Sequence, residues 1–146
     1  MEKIKEVSQY LLYLDGEAHG DGISNLKMQK LVYYAQGFYS ALFDKNLFDD
    51  DICAWTHGPV VEDLYHHYKE YGNKSIDLPT NFKVSSLNLD KKELEFIEEV
   101  FEVFGLYSAW GLRNMTHEES PWNNHEADGG VIPSTEITEY FKTRLN

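Results

Sequence analysis

The stretch Leu26 to Asn46, LKMQKLVYYAQGFYSALFDKN, decides the fold. Its apolar residues Met28, Leu31, Val32, Ala35, Phe38, Tyr39 and Leu42 recur at i, i+3, i+4, i+7 spacing, the period of an α-helix. Polar Lys27, Lys30 and Gln36 leave only a partial wet face, so the segment is expected to be a central helix packed on more than one side. Ser24 sits where an N-cap would accept a bond from an early helix amide. Gly37 costs a helix about 1 kcal/mol relative to Ala and implies another backbone passing close. Tyr33 and Tyr34 face adjacent directions, so one of them is expected to reach a surface.

Before this segment, Ile4, Val7, Leu11, Leu12 and Leu14 predict a first helix that ends at Asp15-Gly16. After it, Ile52 to Trp55 lacks helical period and predicts a short strand. Pro59 suits the first turn of a helix through Val60, Val61, Leu64, Tyr65 and Tyr68, stopping at Gly72. Residues 73–90 read as an extended connection crossing the helices. Asp90 predicts a cap for a helix with Leu94, Ile97, Val100, Phe101 and Phe104 inward and Glu93, Glu95, Glu98, Glu99 and Glu102 largely outward. Gly105 ends it, Ser108 caps a short helix, and Pro121 starts another. Val131-Ile132 predicts a second short strand, and Ser134 a cap for a last helix bearing Ile137, Tyr140 and Phe141. The fold class is mainly α: a compact helical domain of about six to seven helices with a small short-stranded β element, one domain over residues 1–146.

Composition narrows the function. The chain has 25 acidic against 13 basic residues and a net charge of -12. Such a field repels phosphate backbones and anionic membranes, so no direct nucleic-acid partner and no membrane partner are expected, whereas encounter with a basic partner is favoured. Cys53 is the sole cysteine, which excludes an intrachain disulfide and a thiolate metal cluster. No segment approaches the ~20 apolar residues of a membrane span, and the charged start lacks a signal-peptide core. A cytoplasmic protein is expected.

Few residues invite chemistry. His57, His117 and Glu118 could move protons if folding joined them, which would suit a small hydrolase. A nucleophile block, a phosphate-cradling loop and an H-E-x-x-H motif are missing. His66-His67 are adjacent on a helix and cannot form an i, i+4 metal pair, and Asp49-Asp50-Asp51 lacks the alternation of a calcium loop. No metal and no cofactor are therefore expected. Trp55 and Trp122 each flank a turn, as core plugs or partner anchors, and Lys30 and Gln36 are expected to bind motif loops or to meet a partner.

Three blocks, Leu26-Lys27-Met28-Gln29-Lys30-Leu31-Val32-Tyr33-Tyr34-Ala35-Gln36-Gly37, Ala54-Trp55-Thr56-His57-Gly58-Pro59-Val60-Val61 and Thr116-His117-Glu118-Glu119-Ser120-Pro121-Trp122, follow one another in an order that resembles the Panacea-domain family, which includes SocA-like antitoxins and phage-associated proteins. The resemblance implies a helical domain with a small sheet, a cognate toxin as partner, and in the SocA type delivery toward a protease. It does not choose the toxin. Lys30, Tyr34, Gln36, Trp55, His57, His117, Glu118 and Trp122 are the expected motif or partner-binding residues. A second reading, an acidic DNA mimic, would use the carboxylates from Glu93 to Glu102. Oligomeric state is not legible.

Overall fold

The computed structural model describes residues 1–145. Helix α1 (Glu2–Glu17) leads to α2 (Asn25–Phe43), whose entry is fixed by Ser24 Oγ accepting the Lys27 amide at 3.2 Å. Strands β1 (Ile52–Trp55) and β2 (Gly58–Val60) form a hairpin, followed by α3 (Glu62–His67). Next come α4 (Lys91–Phe104), α5 (Ala109–Thr116), α6 (Ser120–Asn123), β3 (Val131–Ile132) and α7 (Ser134–Lys142). The mainly α class with a small β element is the observed architecture.

Helix α2 is the axis, packed by α7, α5, α4, α1 and β2. Most of its residues are buried, because apolar side chains occupy nearly every direction around it. Tyr33 and Tyr34 are both fully buried, against the expectation that one would reach solvent. Elements on both sides of α2 close off the turn that carries Tyr33 and Tyr34, and each hydroxyl finds an internal acceptor.

Gly37 answers to a side chain and not to a passing backbone. A Cβ there would collide with the ring of Phe141, which α7 lays across α2 and which is itself 0% exposed. Gly37→Ala is therefore expected to lower stability by about 1–3 kcal/mol, although alanine is the better helix former. Urea unfolding of the variant would check this, and an unchanged midpoint would show that Phe141 moves aside.

The sheet has order β2-β1-β3 and is antiparallel throughout, with Ala54 opposite Pro59 and Ile52 opposite Ile132. Pro59 thus lies in β2 and not in a helical first turn, which is corrected to begin at Glu62. On an outer strand its missing N–H costs no ladder bond. Residues 73–90 cross the helices as expected, with one 3₁₀ turn at Val84–Ser86 and a backbone tie from the Ile76 amide to the Ile23 carbonyl at 2.9 Å.

Asp90 opens α4 with a reciprocal capping box: its side chain accepts the Glu93 amide while the Glu93 carboxylate accepts the Asp90 amide. Glu93 is consequently buried and paired with Lys3 rather than outward. Ser108 caps α5 through the Gly111 amide. At α7 the cap position falls on Pro133, and Ser134 is already the first helical residue without a capping bond.

Candidate functional site

The three sequence blocks meet at one corner of the molecule. Lys30 on α2 is 0% exposed and donates from Nζ to the Pro59 carbonyl at 3.0 Å. Gly58 sits on this lysine with φ +108, and a Cβ there would lie 2.8 Å from both Lys30 Cε and Thr116 Oγ1. The position needs glycine twice over, for its left-handed backbone and for its lack of a side chain. From the third block, Trp122 donates its indole N–H to the Trp55 carbonyl at 2.7 Å. His117 stacks on Trp122 with ring centroids 3.7 Å apart and planes within 8°.

Beneath this corner lies a buried acid that the sequence reading passed over. Glu119 accepts from the hydroxyls of Tyr33 at 3.2 Å and Tyr34 at 2.7 Å, and Arg144, beyond α7, reaches it at 3.2 Å. Burial raises the Glu119 carboxyl above its ordinary range, and the Tyr34, Arg144 and Tyr33 contacts oppose that rise without cancelling it. Burial likewise pushes both tyrosine hydroxyls upward, reinforced by the nearby carboxylate. Two buried hydroxyls on a helix without a polar face require a buried acceptor, which is the signal that could have pointed to Glu119.

Most of the expected site residues spend their polar atoms inside the protein. Gln36 donates to the Phe48 carbonyl at 2.7 Å and accepts from the Leu47 and Phe48 amides, so it clamps the chain leaving α2. Gln29 accepts the Val61 amide at 2.9 Å and ties down the end of the hairpin. Lys30, Tyr34, Gln36 and Trp122 are all buried, Trp55 and His117 are half-buried, and His57 and Glu118 face solvent.

His57 and His117 do share this corner, but without the third member of a proton relay. The His117 ring is pushed down by burial first, then by Arg113, Lys30 and His57. Its Nε2 is buried with no hydrogen-bond partner, and no hydrogen bond joins Glu118 to either imidazole among the described residues. His66 lies 3.7 Å from Glu62 on an exposed face, and no metal-binding group of three side chains occurs among the described residues.

Outward from the corner the surface is apolar. Val103 is 60% exposed, Leu106 92%, Tyr107 46% and Trp110 53%, in succession across the α4–α5 turn. Trp110 lies 5.9 Å from His57 by ring centroids, and the Arg113 guanidinium is 4.3 Å from its ring centre. A cleft of about 860 Å³ is lined by His57 together with Gln29, Trp55, Tyr65 and Ala109 among others. The acidic face of α4 is less free than its sequence suggests. Glu93 pairs with Lys3, Glu95 with Lys91, and Glu98 accepts from Tyr10.

Among the described residues, no helix is long and apolar enough to cross a membrane. No curated protein and no solved structure matches the chain. Residues 28–123, however, match the family described as antitoxin SocA-like, Panacea domain, a span that covers more than half of the chain and contains nearly all of the three converging blocks. The converging corner and this match lead to one conclusion: the chain belongs to the SocA-like antitoxin, Panacea-domain family.

Proposed function

We propose that the protein neutralises a cognate toxin in the cytoplasm by binding it directly, without catalysis. The observation that carries this reading is the exposed run Val103, Leu106, Tyr107 and Trp110, which adjoins the motif corner at His57. Large apolar side chains exposed at four positions within eight residues are costly to leave in water and mark a candidate interaction surface. In this reading Lys30, Tyr34, Gln36 and Trp122 build the platform, and Trp55, His57, His117 and Glu118 edge the contact face. The buried, unpartnered Nε2 of His117 supports a binding role over proton transfer, since a general base needs reach to substrate and an orienting partner. The inward turn of Glu93 onto Lys3 and the Tyr10 bond to Glu98 break up the row of acids on α4, which favours a toxin contact over mimicry of a nucleic-acid backbone.

Co-expression with the product of the neighbouring gene tests the proposal. The wild-type chain is expected to restore growth and to co-purify with that product. Leu106→Glu is expected to abolish rescue while leaving stability within about 0.5 kcal/mol, because Leu106 packs on almost nothing in the free chain. A neighbour that is harmless alone, with no protein retained by this chain, would overturn the antitoxin reading. Toxin lifetime during rescue separates the two modes of action: blockade leaves it unchanged, and delivery to a protease shortens it.

A further inference from the structure

Among the described residues, two buried side-chain polar atoms lack a hydrogen-bond partner, Arg113 Nε and His117 Nε2. Both occur at the same corner, one helical turn apart on α5 and its C-cap. Arg113 also has no carboxylate within ion-pair distance among the described residues, in a chain with 25 acidic side chains. The other arginine, Arg144, does pair, with Glu119. A guanidinium in an acidic protein normally finds an acid, so an unpaired one held against an exposed tryptophan is a poised donor through its Nη edge, Nε being buried.

The geometry holds it in place. Ser108 caps α5 and fixes the turn that carries Trp110, whose ring lies under the Arg113 guanidinium. Gly58, seated on Lys30, fixes the hairpin tip that brings the His57 ring to within 5.9 Å of the Trp110 ring. Among the described residues, the only hydrogen bond of the guanidinium is from Nη1 to the neutral Asn114 amide oxygen at 3.0 Å. After burial, the Arg113 charge is the next cause that lowers both Lys30 and His117, so the guanidinium is felt throughout the corner. Arg113 is therefore an unpaired cation among the described residues of a chain with net charge -12, and the exposed Leu106 and Tyr107 precede Trp110 along the chain.

We propose that Arg113, with His57 beside it and Trp110 beneath, receives an aspartate or glutamate side chain of the partner protein, with an apolar neighbour of that acid laid on Trp110 and Leu106. The inference rests on the antitoxin reading for the identity of the partner. A protein carboxylate fits better than a nucleic-acid phosphate for two reasons. One guanidinium matches a single negative charge, and the surrounding field of the chain repels a polyanion. The apolar rim suits a hydrophobic side chain and gives nothing to a phosphodiester.

The test uses the full-length chain labelled with ¹⁵N and three probes at pH 7: a blocked peptide with one glutamate between two leucines, its glutamine counterpart, and a short single-stranded oligonucleotide. The glutamate peptide is expected to shift the Arg113 Nε–H and Trp110 Nε1–H resonances saturably, with the glutamine peptide about tenfold weaker. Arg113→Gln is expected to bring the two peptides to equal, weak affinity. His57→Ala, at an exposed position that the fold does not use, is expected to weaken only the glutamate peptide. Equal binding of both peptides to the wild-type chain, or tighter binding of the oligonucleotide at the same resonances, would overturn the proposal. In the co-expression assay Arg113→Glu is expected to lose rescue. Full rescue by that variant overturns the docking assignment and leaves the antitoxin reading standing. If the wild-type chain itself fails to rescue, the antitoxin reading falls, and the peptide titration still decides the carboxylate site because it needs no toxin.

Discussion

Glu119→Ala is expected to destabilise the protein by about 3–5 kcal/mol, the largest effect of any polar substitution in this chain. The variant leaves the buried hydroxyls of Tyr33 and Tyr34 and the guanidinium of Arg144 without their shared acceptor. It also opens a void beside the ring cluster in which Tyr34 stacks on Phe104 at 4.4 Å and meets Phe141 edge-on. Glu119→Gln keeps one carbonyl oxygen for a tyrosine and should cost about 1–3 kcal/mol. Denaturant unfolding of both variants would rank them, and an alanine variant as stable as the glutamine one would show that the network contributes nothing. The pH dependence follows from the raised carboxyl. The folded state holds the Glu119 proton more tightly than the unfolded chain does, so this group favours folding most below its unfolded ionisation range. That contribution is lost as pH rises through the folded value. Acid unfolding of the protein is thus expected to begin at other carboxylates, such as Glu136 beside His125, which is lowered by those contacts despite opposing desolvation.

Lys30→Met is expected to make the protein more stable at pH 6 and to bring it level with the wild type near pH 10. Burial is the chief cause, and the Arg113 charge the second, that together pull the Lys30 ammonium down to about 7 from its ordinary 10.5. The unfolded chain holds this proton up to its ordinary value, while the folded chain releases it first. Between those two values the unfolded state binds more protons, so wild-type stability rises with pH across that window. Below it both states are protonated and the folded protein bears the full cost of a buried ammonium with one carbonyl acceptor. That cost is a few kcal/mol, since each tenfold change in an ionisation constant is worth about 1.4 kcal/mol. Methionine keeps the length of the side chain and leaves the Pro59 carbonyl without a donor, which offsets about 1 kcal/mol of the gain. Urea midpoints of the two proteins from pH 6 to pH 10 would show converging curves. Parallel curves would mean that Lys30 stays charged throughout.

Much of the architecture was legible before any coordinates. The repeat of Met28, Leu31, Val32 and Ala35 marks α2, and Ser24, Asp90 and Ser108 are observed accepting the amides that an N-cap serves. These signals are local: a hydroxyl or carboxylate three residues from the amide it caps finds it whatever the remainder of the chain does. Misreadings arose where a residue suits two local roles. Pro59 fits a helical first turn and an outer strand equally, and only the pairing with Ala54 chose between them. Glu93 falls at an outward angle on α4, yet the capping box and Lys3 turn it inward.

The family assignment and the candidate corner divide along the same line. Lys30, Gly58 and Thr116 stand in three blocks readable from order and residue type, and sequence alone was enough to name a mainly helical fold and a Panacea-type chain. Their meeting was decided by tertiary structure, because a contact between residues 30, 58 and 116 depends on how α2, the hairpin and α5 pack and on nothing within any one segment. The same holds for which acid goes inside. His117, Glu118 and Glu119 are consecutive polar residues with no local rule to rank them, and the direction in which the chain leaves α5 carries Glu119 under α2 to two tyrosines and leaves Glu118 in water. Helical period and caps act over three or four residues, whereas burial of a charge is settled by partners tens of residues away, and so only the folded chain could decide it.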